Sequence, residues 1–287
     1  MDHLGELRTA DRTAYLTQLF APAPLRPALC ALALFGIELD RIVQRAKEPL
    51  AAEVRLQWWR DAIANEGYGA HSGVPLVNAL RSAMGEYAWP ADTLGAMSEA
   101  RIHDLYADPF PNSDAFDGYA GEVFATPLQL SAIAHGVLAY GLLDGPQHAR
   151  SAATAAGYGG VALAAASAAV KEPARLAAGR THIPLSIWTA AGVETIQDHL
   201  SAHTPPPQTE EAIGQLVAHG LRADAALQEA LRAVPGDLAG ALLPALSAGD
   251  TLRAAAARPL SPRLPGPLAT QWRLWRAARR LRSITRR

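Results

Sequence analysis

Charged side chains interrupt an otherwise apolar segment of the sequence, FGIELDRIVQ, at positions 35–44. Apolar residues at spacings of three and four predict a helix here, and Asp40 and Gln44, four residues apart, share one of its faces. Carboxylates at this spacing on two facing helices of a bundle could hold Mg²⁺ against a diphosphate, because hard cations prefer carboxylate oxygens. Asp40 has Arg41 and Gln44 as companions instead, and one carboxylate beside a cation makes a poor magnesium site.

Helices must position these side chains, because no segment shows the sustained alternation of a strand. Alanine is abundant and apolar residues recur at spacings of three and four, so the sequence is predicted to be all-α. Prolines and glycines divide it into about nine helical segments. One helix begins near Pro49, a favourable first-turn residue. The packing faces of the preceding helix and of this one are predicted to comprise Leu32, Phe35, Leu39, Ile42, Val43 and Ala46, and Leu56, Trp59 and Ile63.

The composition is that of a chain able to bury a substantial core, with 287 residues and 49% apolar side chains. A net charge of −1 indicates no class of partner, but the charge is unevenly distributed. Positions 251–287 carry ten arginines and no Asp, Glu or Lys, which suggests an anionic surface or an acidic partner. Cys30 is the only cysteine, which excludes a disulfide framework and a thiolate metal site. The first residues lack the apolar core of a secretory signal, so the cytoplasm is the predicted compartment.

Six pieces of the sequence between residues 15 and 185 are informative in their order and spacing: YLTQLFAPAPLRPALCALALFGIELDRIV, EVRLQWWRDAI, HDLYADPF, GYAGEVFATPLQLSAIAHG, AAGYGGVALAAASAAV and GRTHIPL. In this order they resemble the squalene/phytoene synthase family, which joins two prenyl diphosphates head to head, and the resemblance extends over about residues 11–278. The resemblance implies an isoprenoid-synthase-like helical bundle around a central cavity. It also implies a single domain over residues 1–287, with a basic C-terminal tail at 271–287.

Both acidic motifs of that family are altered in this sequence. The first, Asp-Asp-x-x-Asp, falls on Asp40, Arg41 and Gln44. The second, Asp-x-x-x-Asp upstream of the stretch matched by GRTHIP, falls on Lys171 and Arg175. One acid of five is kept and three cations are gained. Like charges repel by roughly a few kcal/mol per pair at an effective dielectric near 20, so neither a metal site nor a catalytic residue is expected at these positions.

Residues 35–63 look most like a degenerate branch of the family, which includes the mitochondrial complex I assembly factor with a phytoene-synthase-like fold. The matching features are EP at 48–49 and RLQWW at 55–59. Active synthases share the RLQWW pattern, so this pattern does not distinguish them from the degenerate branch. The loss of the acids does. The resemblance implies a catalytically degenerate helper or assembly factor for respiratory complex I. No cofactor is expected. The expected location is the cytoplasm, either free or attached peripherally to the inner membrane.

Two other functions remain open. An active head-to-head prenyl transferase would need Mg²⁺ and would release diphosphate from a prenyl diphosphate. A non-catalytic prenyl-lipid binding protein would retain the apolar cavity as a carrier site. The expected partners are therefore complex I subunits or assembly intermediates, an anionic membrane surface, or a prenyl lipid. Nucleic acid is not expected, because the basic tail is accompanied by no recognised nucleic-acid module.

The charges around the altered motifs have two interpretations. Glu38 and Arg41, three residues apart, could form a structural ion pair, and Lys171 and Arg175 could meet Glu38 or Asp40 across the former cavity, because a buried charge needs a partner. Alternatively, the cations bind an anion directly, without metal. The candidate cavity or anion-binding residues are Glu38, Asp40, Lys171, Arg175 and Arg180.

The last segment, QWRLWRAARRLRSITRR, contains seven Arg and two Trp. An apolar stripe of Leu274, Ala277, Leu281 and Ile284 opposite the arginines would suit an anionic membrane surface. Alternatively, the segment is the last helix of the bundle with a frayed basic end. The candidate membrane or partner surface comprises Trp272, Trp275, Arg276, Arg279, Arg280 and Arg282.

Three further patterns are predicted to be structural. Asp104 and Asp108 are expected at a helix end rather than as metal ligands. His199 and His203 have the four-residue spacing of metal ligands but are expected at a solvated helix end. The apolar run at 151–170 is long enough to cross a membrane, yet its alanines and glycines predict a tightly packed interior helix.

Overall fold

The computed structural model of the protein describes residues 2–65 and 74–284, with side chains up to Leu281. Over these residues the chain is a set of helices with no strand, which confirms the all-α prediction. The α-helices are α1 His3–Ala10, α2 Arg12–Gln18, α3 Arg26–Gln44, α4 Pro49–Ala64, α5 Pro75–Tyr87, α6 Ala91–Ala100, α7 Ser113–Ala120, α8 Thr126–Ala149, α9 Ala153–Ala177, α10 Leu185–Ala190, α11 Ile196–Ser201, α12 Thr209–Ala230, α13 Gly236–Ala239, α14 Ala248–Ala257 and α15 Pro267–Ile284. A π-helical turn, Gly121–Ala125, joins α7 to α8, and 3₁₀ helices include Arg101–Leu105 and Gly240–Ser247.

Helix α3 packs through the face that its apolar periodicity predicts. Phe35 is fully buried, and its ring centroid lies 5.3 Å from that of Trp59 on α4. Leu56 and Ile63 of α4 are buried on the same side. Burying a large side chain contributes about 1.5–3 kcal/mol, so this interface holds α3 firmly and with it the orientation of Asp40.

Helix α9 runs through the core and allows close approach of its neighbours. A Cβ at Gly160 would lie 2.5 Å from the Cβ of Ala125 in the π-helical turn, so only glycine permits this contact. A Cβ at Gly159 would lie 2.8 Å from the Cβ of Ala245. Gly157 has nothing within 4 Å of such a Cβ, so not every glycine of this run makes a close packing contact.

One continuous helical run, Ser113–Ala177, is long and apolar enough to cross a membrane by length and composition. Its most apolar window is 56% buried within the structure. In α9 the buried residues include Ala162, Ala165 and Ala169, which pack in a cluster with α10 and α12. This packing agrees with the interior helix that the alanine-rich run predicts.

The C-terminal helix α15 is packed against the bundle. Leu274, Ala278 and Leu281 are buried in a cluster with Gly240–Ser247 and α13. Two residues of the stripe predicted for a membrane surface, Leu274 and Leu281, are therefore used inside the fold, because the same periodicity serves either purpose. Ile284 and Arg282 lie outside the described side chains.

Candidate functional site

A cleft of about 590 Å³ lies where the C-terminal ends of α3 and α9 meet the 3₁₀ helix Arg101–Leu105. Helix α3 contributes Asp40 and Gln44, and α9 contributes Lys171 and Arg175. The remaining polar lining comprises Arg101, His103, Asp104, Tyr106, Arg180, Thr181 and His182. Four positions of the altered motifs, far apart in the sequence, thus share one cleft.

Both carboxylate oxygens of Asp40 are already engaged. Arg101 Nη1 lies 2.8 Å from Oδ1, and Lys171 Nζ lies 3.5 Å from Oδ2. Gln44 Nε2 donates a hydrogen bond to Oδ2 at 3.2 Å, as the four-residue spacing allows. Asp40 therefore links α3 to α9 and to the 3₁₀ helix, and one of its partners is a cation of the second motif.

Glu38 and Arg41 take no part in the lining of this cleft. They pair with each other across one helical turn, with Arg41 Nη1 3.6 Å from Glu38 Oε2 and more than a third of each side chain exposed. The expectation that Glu38 is a cavity residue is therefore wrong, because Asp40 and Gln44 occupy the face of α3 that meets α9. The structural ion-pair interpretation holds for Glu38 and Arg41.

The end of α9 directs the following residues back into the cleft. Gly179 has φ 71°, and its N–H bonds to the carbonyl of Leu176 at 3.0 Å, while the N–H of Arg180 bonds to that of Arg175 at 2.9 Å. This is the Schellman arrangement, which needs a residue in the left-handed region and so favours glycine. The reversal brings Arg180 beside Asp104, to whose carbonyl oxygen it donates from Nη1 at 3.0 Å.

Glu172 fixes the segment that follows this turn. It is fully buried and accepts hydrogen bonds from the Thr181 hydroxyl and, at 3.2 Å, from the His182 N–H. Trp188 Nε1 donates to the same Thr181 hydroxyl oxygen at 3.2 Å. Burial raises the pKa of Glu172, and the nearby Arg175 opposes the rise. The GRTHIP stretch is thus held by side-chain contacts rather than by a helix.

Arg175 has an unsatisfied donor at the cleft. Its Nη1 is buried and has no hydrogen-bond partner among the described residues. The cleft lining contains four cationic side chains, Arg101, Lys171, Arg175 and Arg180, against two carboxylates, Asp40 and Asp104. Because both carboxylates are paired, the cleft presents an excess of positive charge.

A buried polar network forms part of the cleft lining and was not predicted from the sequence. Arg101 Nη1 lies 3.0 Å from Asp104 Oδ2, and His182 Nε2 lies 2.8 Å from Asp104 Oδ1. The Tyr119 hydroxyl donates to Asp104 at 2.9 Å. Asp104 was expected at a helix end, and it lies near the end of the 3₁₀ helix Arg101–Leu105, where it is the acceptor at the centre of this network. One feature of the sequence could have indicated this network. Asp104, Tyr119 and His182 each lie in one of the six pieces that carry the family resemblance.

Burial and hydrogen bonding determine the charges in this network. Burial would raise the pKa of Asp104, but hydrogen bonds and charge from His182 and Arg101 hold it well below its usual range. Burial lowers the pKa of His182 to about 4, so its imidazole is neutral at pH 7 and donates from Nε2 to Asp104. Burial and the adjacent Asp104 raise the pKa of Tyr119 well above its usual range. The network therefore contains one carboxylate, one guanidinium and two neutral donors.

His199 and His203, the histidines with the spacing of metal ligands, lie at the end of α11, as predicted. His203 is exposed and its Nδ1 lies 3.3 Å from the carbonyl oxygen of Ala177. Within residues 2–65 and 74–284, no three His, Cys, Asp or Glu side chains group as metal ligands.

The residues of the cleft do not fit the magnesium ions that the family's acidic motifs would hold. Mg²⁺ prefers carboxylate oxygens and bound waters in octahedral geometry. Here the one retained motif acid has cations on both of its oxygens, at 2.8 and 3.5 Å. Lys171 and Arg175 occupy the positions to which the resemblance assigns the second pair of acids, and each would repel a divalent cation.

Two solved structures are similar to this chain in fold. The chain is similar to a dehydrosqualene synthase whose crystal structure is in complex with ligand, at 14% identity and TM-score 0.74, over 98% of this chain and 94% of that one. It is also similar to the squalene synthase HpnC from Alicyclobacillus acidocaldarius, at 20% identity and TM-score 0.65, over 90% of this chain and 96% of that one. These structures show the shared all-α isoprenoid-synthase fold.

A search of curated proteins gives no match. The family model described as squalene/phytoene synthase matches residues 7–276. Because this match covers nearly the whole sequence, the chain belongs to the squalene/phytoene synthase family.

Proposed function

We propose that this family member does not condense prenyl diphosphates, and that its cleft binds an anionic group directly on cations. The observation that carries the proposal is the ion pair between Asp40 and Lys171, in which a second-motif position neutralises the only acid left in the first. A metal ion at Asp40 would also lie beside Arg101. At about 4 Å and an effective dielectric of 20, each pair of like unit charges costs about 4 kcal/mol. Metal neutralisation of a departing diphosphate is therefore disfavoured in this cleft.

Arg175 supports direct binding of an anion. Leaving a buried donor without an acceptor costs about 1–3 kcal/mol, and the buried Nη1 of Arg175 has no acceptor among the described residues. A phosphate oxygen would supply one, and guanidinium–phosphate hydrogen bonds are among the strong ones. Lys171 is 46% exposed and lines the same cleft, so its ammonium could turn from Asp40 to a bound anion.

The protein is expected to bind farnesyl or geranylgeranyl diphosphate in the presence of EDTA, and to leave it intact when Mg²⁺ and NADPH are added. Calorimetry measures binding, and product analysis measures squalene, phytoene and released diphosphate against a control without protein.

Arg175→Met is expected to weaken binding of inorganic pyrophosphate by about tenfold or more, because a hydrogen bond to a charged group contributes about 1.5–3 kcal/mol.

Arg41→Gln is the matched control, since Arg41 belongs to the first motif yet pairs with Glu38 away from the cleft. Its affinity for pyrophosphate should equal that of the wild type. Multiple turnovers with Mg²⁺ would contradict the first half of the proposal and establish an active prenyl transferase. Binding that requires Mg²⁺, or that Arg175→Met leaves unchanged, would contradict the second half alone.

We further propose that the protein helps to assemble respiratory complex I. One support is the resemblance of residues 35–63 to the degenerate branch of the family that includes a complex I assembly factor. The other is an apolar surface on α4, where Leu50 and Val54, one turn apart, are 71% and 64% exposed. Exposed apolar side chains on one helical face are typical of a protein-binding surface when they form a patch.

Removing the protein from its host is expected to lower the amount of assembled complex I on native gels, with other respiratory complexes unchanged. Wild-type protein and the Arg41→Gln variant should restore assembly, whereas the double variant Leu50→Ser and Val54→Ser should not. Normal complex I without the protein would refute the assembly role, whatever the cleft binds.

A further inference from the structure

Helix α15 has two apolar faces, and the fold uses only one of them. Leu274, Ala278 and Leu281 are buried against the bundle. Leu268 and Trp272 are four residues apart, and Trp275 follows three residues later, so these three side chains share a different face. They are 81%, 56% and 45% exposed, so about half or more of each side chain is left uncovered by the described part of the chain.

Two arginines are bound to the exposed indoles of this face. The Arg276 guanidinium lies 4.6 Å from the ring centroid of Trp272, and that of Arg279 lies 4.7 Å from the ring centroid of Trp275. Each stack holds a cation at the edge of the apolar stripe. Arg273 differs, because it pairs with Asp250 at 3.2 Å and so secures the helix to α14. Helix α15 itself contains no acidic residue. Asp224 and Asp250 of the neighbouring helices line a pocket with Trp272 and Arg276, but they pair with Arg253 and Arg273.

We propose that Leu268, Trp272 and Trp275, together with Arg276 and Arg279, form a docking surface for an anionic lipid membrane. Indole rings favour the headgroup level of a bilayer, and arginines beside them meet lipid phosphates. A lipid surface accepts both the apolar and the cationic side chains of such a stripe. A polyanion in water would engage the cations and leave Leu268 exposed.

The packed face of α15 limits how deeply the helix can enter a bilayer. Its backbone remains attached to the bundle through Leu274 and Leu281. Only the side chains of the exposed stripe would enter the headgroup region, with the helix lying along the surface. Binding is then peripheral and reversible, and it weakens as salt screens the charges. This surface is independent of the cleft and of its ligand.

Co-sedimentation of the full chain with vesicles tests the proposal. Wild-type protein should bind phosphatidylcholine vesicles that contain phosphatidylglycerol far more tightly than vesicles of phosphatidylcholine alone. The double variant Arg276→Gln and Arg279→Gln should bind the anionic vesicles on the order of 25-fold more weakly, at about fivefold per arginine. The double variant Trp272→Ala and Trp275→Ala should also bind more weakly, and far-ultraviolet circular dichroism checks that each variant is folded.

Arg45→Gln with Lys47→Gln is the matched control, because both side chains are exposed and lie outside α15. It removes the same charge and should leave vesicle binding within twofold of the wild type. Equal binding by all variants, or equal binding to neutral and anionic vesicles, would overturn the proposal. Tight binding of duplex DNA or polyglutamate that depends on Arg276 and Arg279, with no vesicle binding, would assign the surface to another partner.

Discussion

Replacing Arg101 with methionine is expected to lower the free energy of unfolding by about 3–5 kcal/mol, the usual cost of removing one partner from a buried ion pair. Arg101 is 11% exposed, and its Nη1 contacts Asp40 at 2.8 Å and Asp104 at 3.0 Å. Methionine fills a similar volume but leaves the carboxylate of Asp104, only 7% exposed, without a cation. Urea unfolding at pH 7 measures the change.

Lys171→Met provides the comparison, because it also removes a cation from Asp40. Lys171 is 46% exposed and its contact is longer, at 3.5 Å. Exposed ion pairs contribute about 0–1 kcal/mol, so this variant should unfold near the wild-type midpoint. If the two variants are equally stable, the Arg101 network does not hold the fold together at this point.

The elements that carry the cleft could be predicted because their information is local. The apolar face of α3 around Phe35 follows from periodicity, and the fold buries it against Trp59 as expected. Lys171 and Arg175 could be assigned from motif spacing, since one continuous helix places them on one face. Their common cleft with Asp40 then follows from the packing of two helices.

The network around Asp104 could not be predicted in the same way. Arg101, Tyr119 and His182 come from three segments that meet only through tertiary packing. Arg101 lies three residues before Asp104 on one 3₁₀ helix, but no spacing in the sequence relates Tyr119 or His182 to this pair. The turn that delivers His182 depends on the left-handed conformation of Gly179. The direction of the Glu38 side chain could not be predicted from the sequence either. On a helix it could pair with Arg41 or point into the cleft, and the sequence does not decide between the two.

The C-terminal helix shows a different limit. Its periodicity gave an apolar stripe through Leu274 and Leu281, and the fold buries that stripe. A second stripe through Trp272 and Trp275 remains on the outside. Sequence periodicity identifies both faces but does not say which of them the bundle uses, since that choice is made by tertiary packing against Gly240–Ser247 and α13.

His182 should make the stability of the protein fall as the medium is acidified from pH 6.5 to 4. Burial lowers the pKa of His182 to about 4 in the folded state, against about 6.5 for an unperturbed histidine. Between these values the unfolded chain binds the proton and the folded protein does not, so stability decreases with falling pH. The slope approaches about 1.4 kcal/mol per pH unit, and the full window corresponds to about 3 kcal/mol.

His182→Gln isolates this contribution, because glutamine can donate to Asp104 but does not titrate. His103 and His135, whose pKa values burial also lowers, remain in both proteins and cancel in the difference. Below about pH 4, protonation of Asp104, whose pKa is depressed in the folded state, lowers the stability of both proteins further. Urea unfolding of the two proteins from pH 7.5 to 4.5 should show the wild type losing stability faster. Parallel curves would mean that folding does not lower the pKa of His182. A wild type that loses stability more slowly than the variant would mean that the contact between His182 and Asp104 is an ion pair instead of a neutral donor contact.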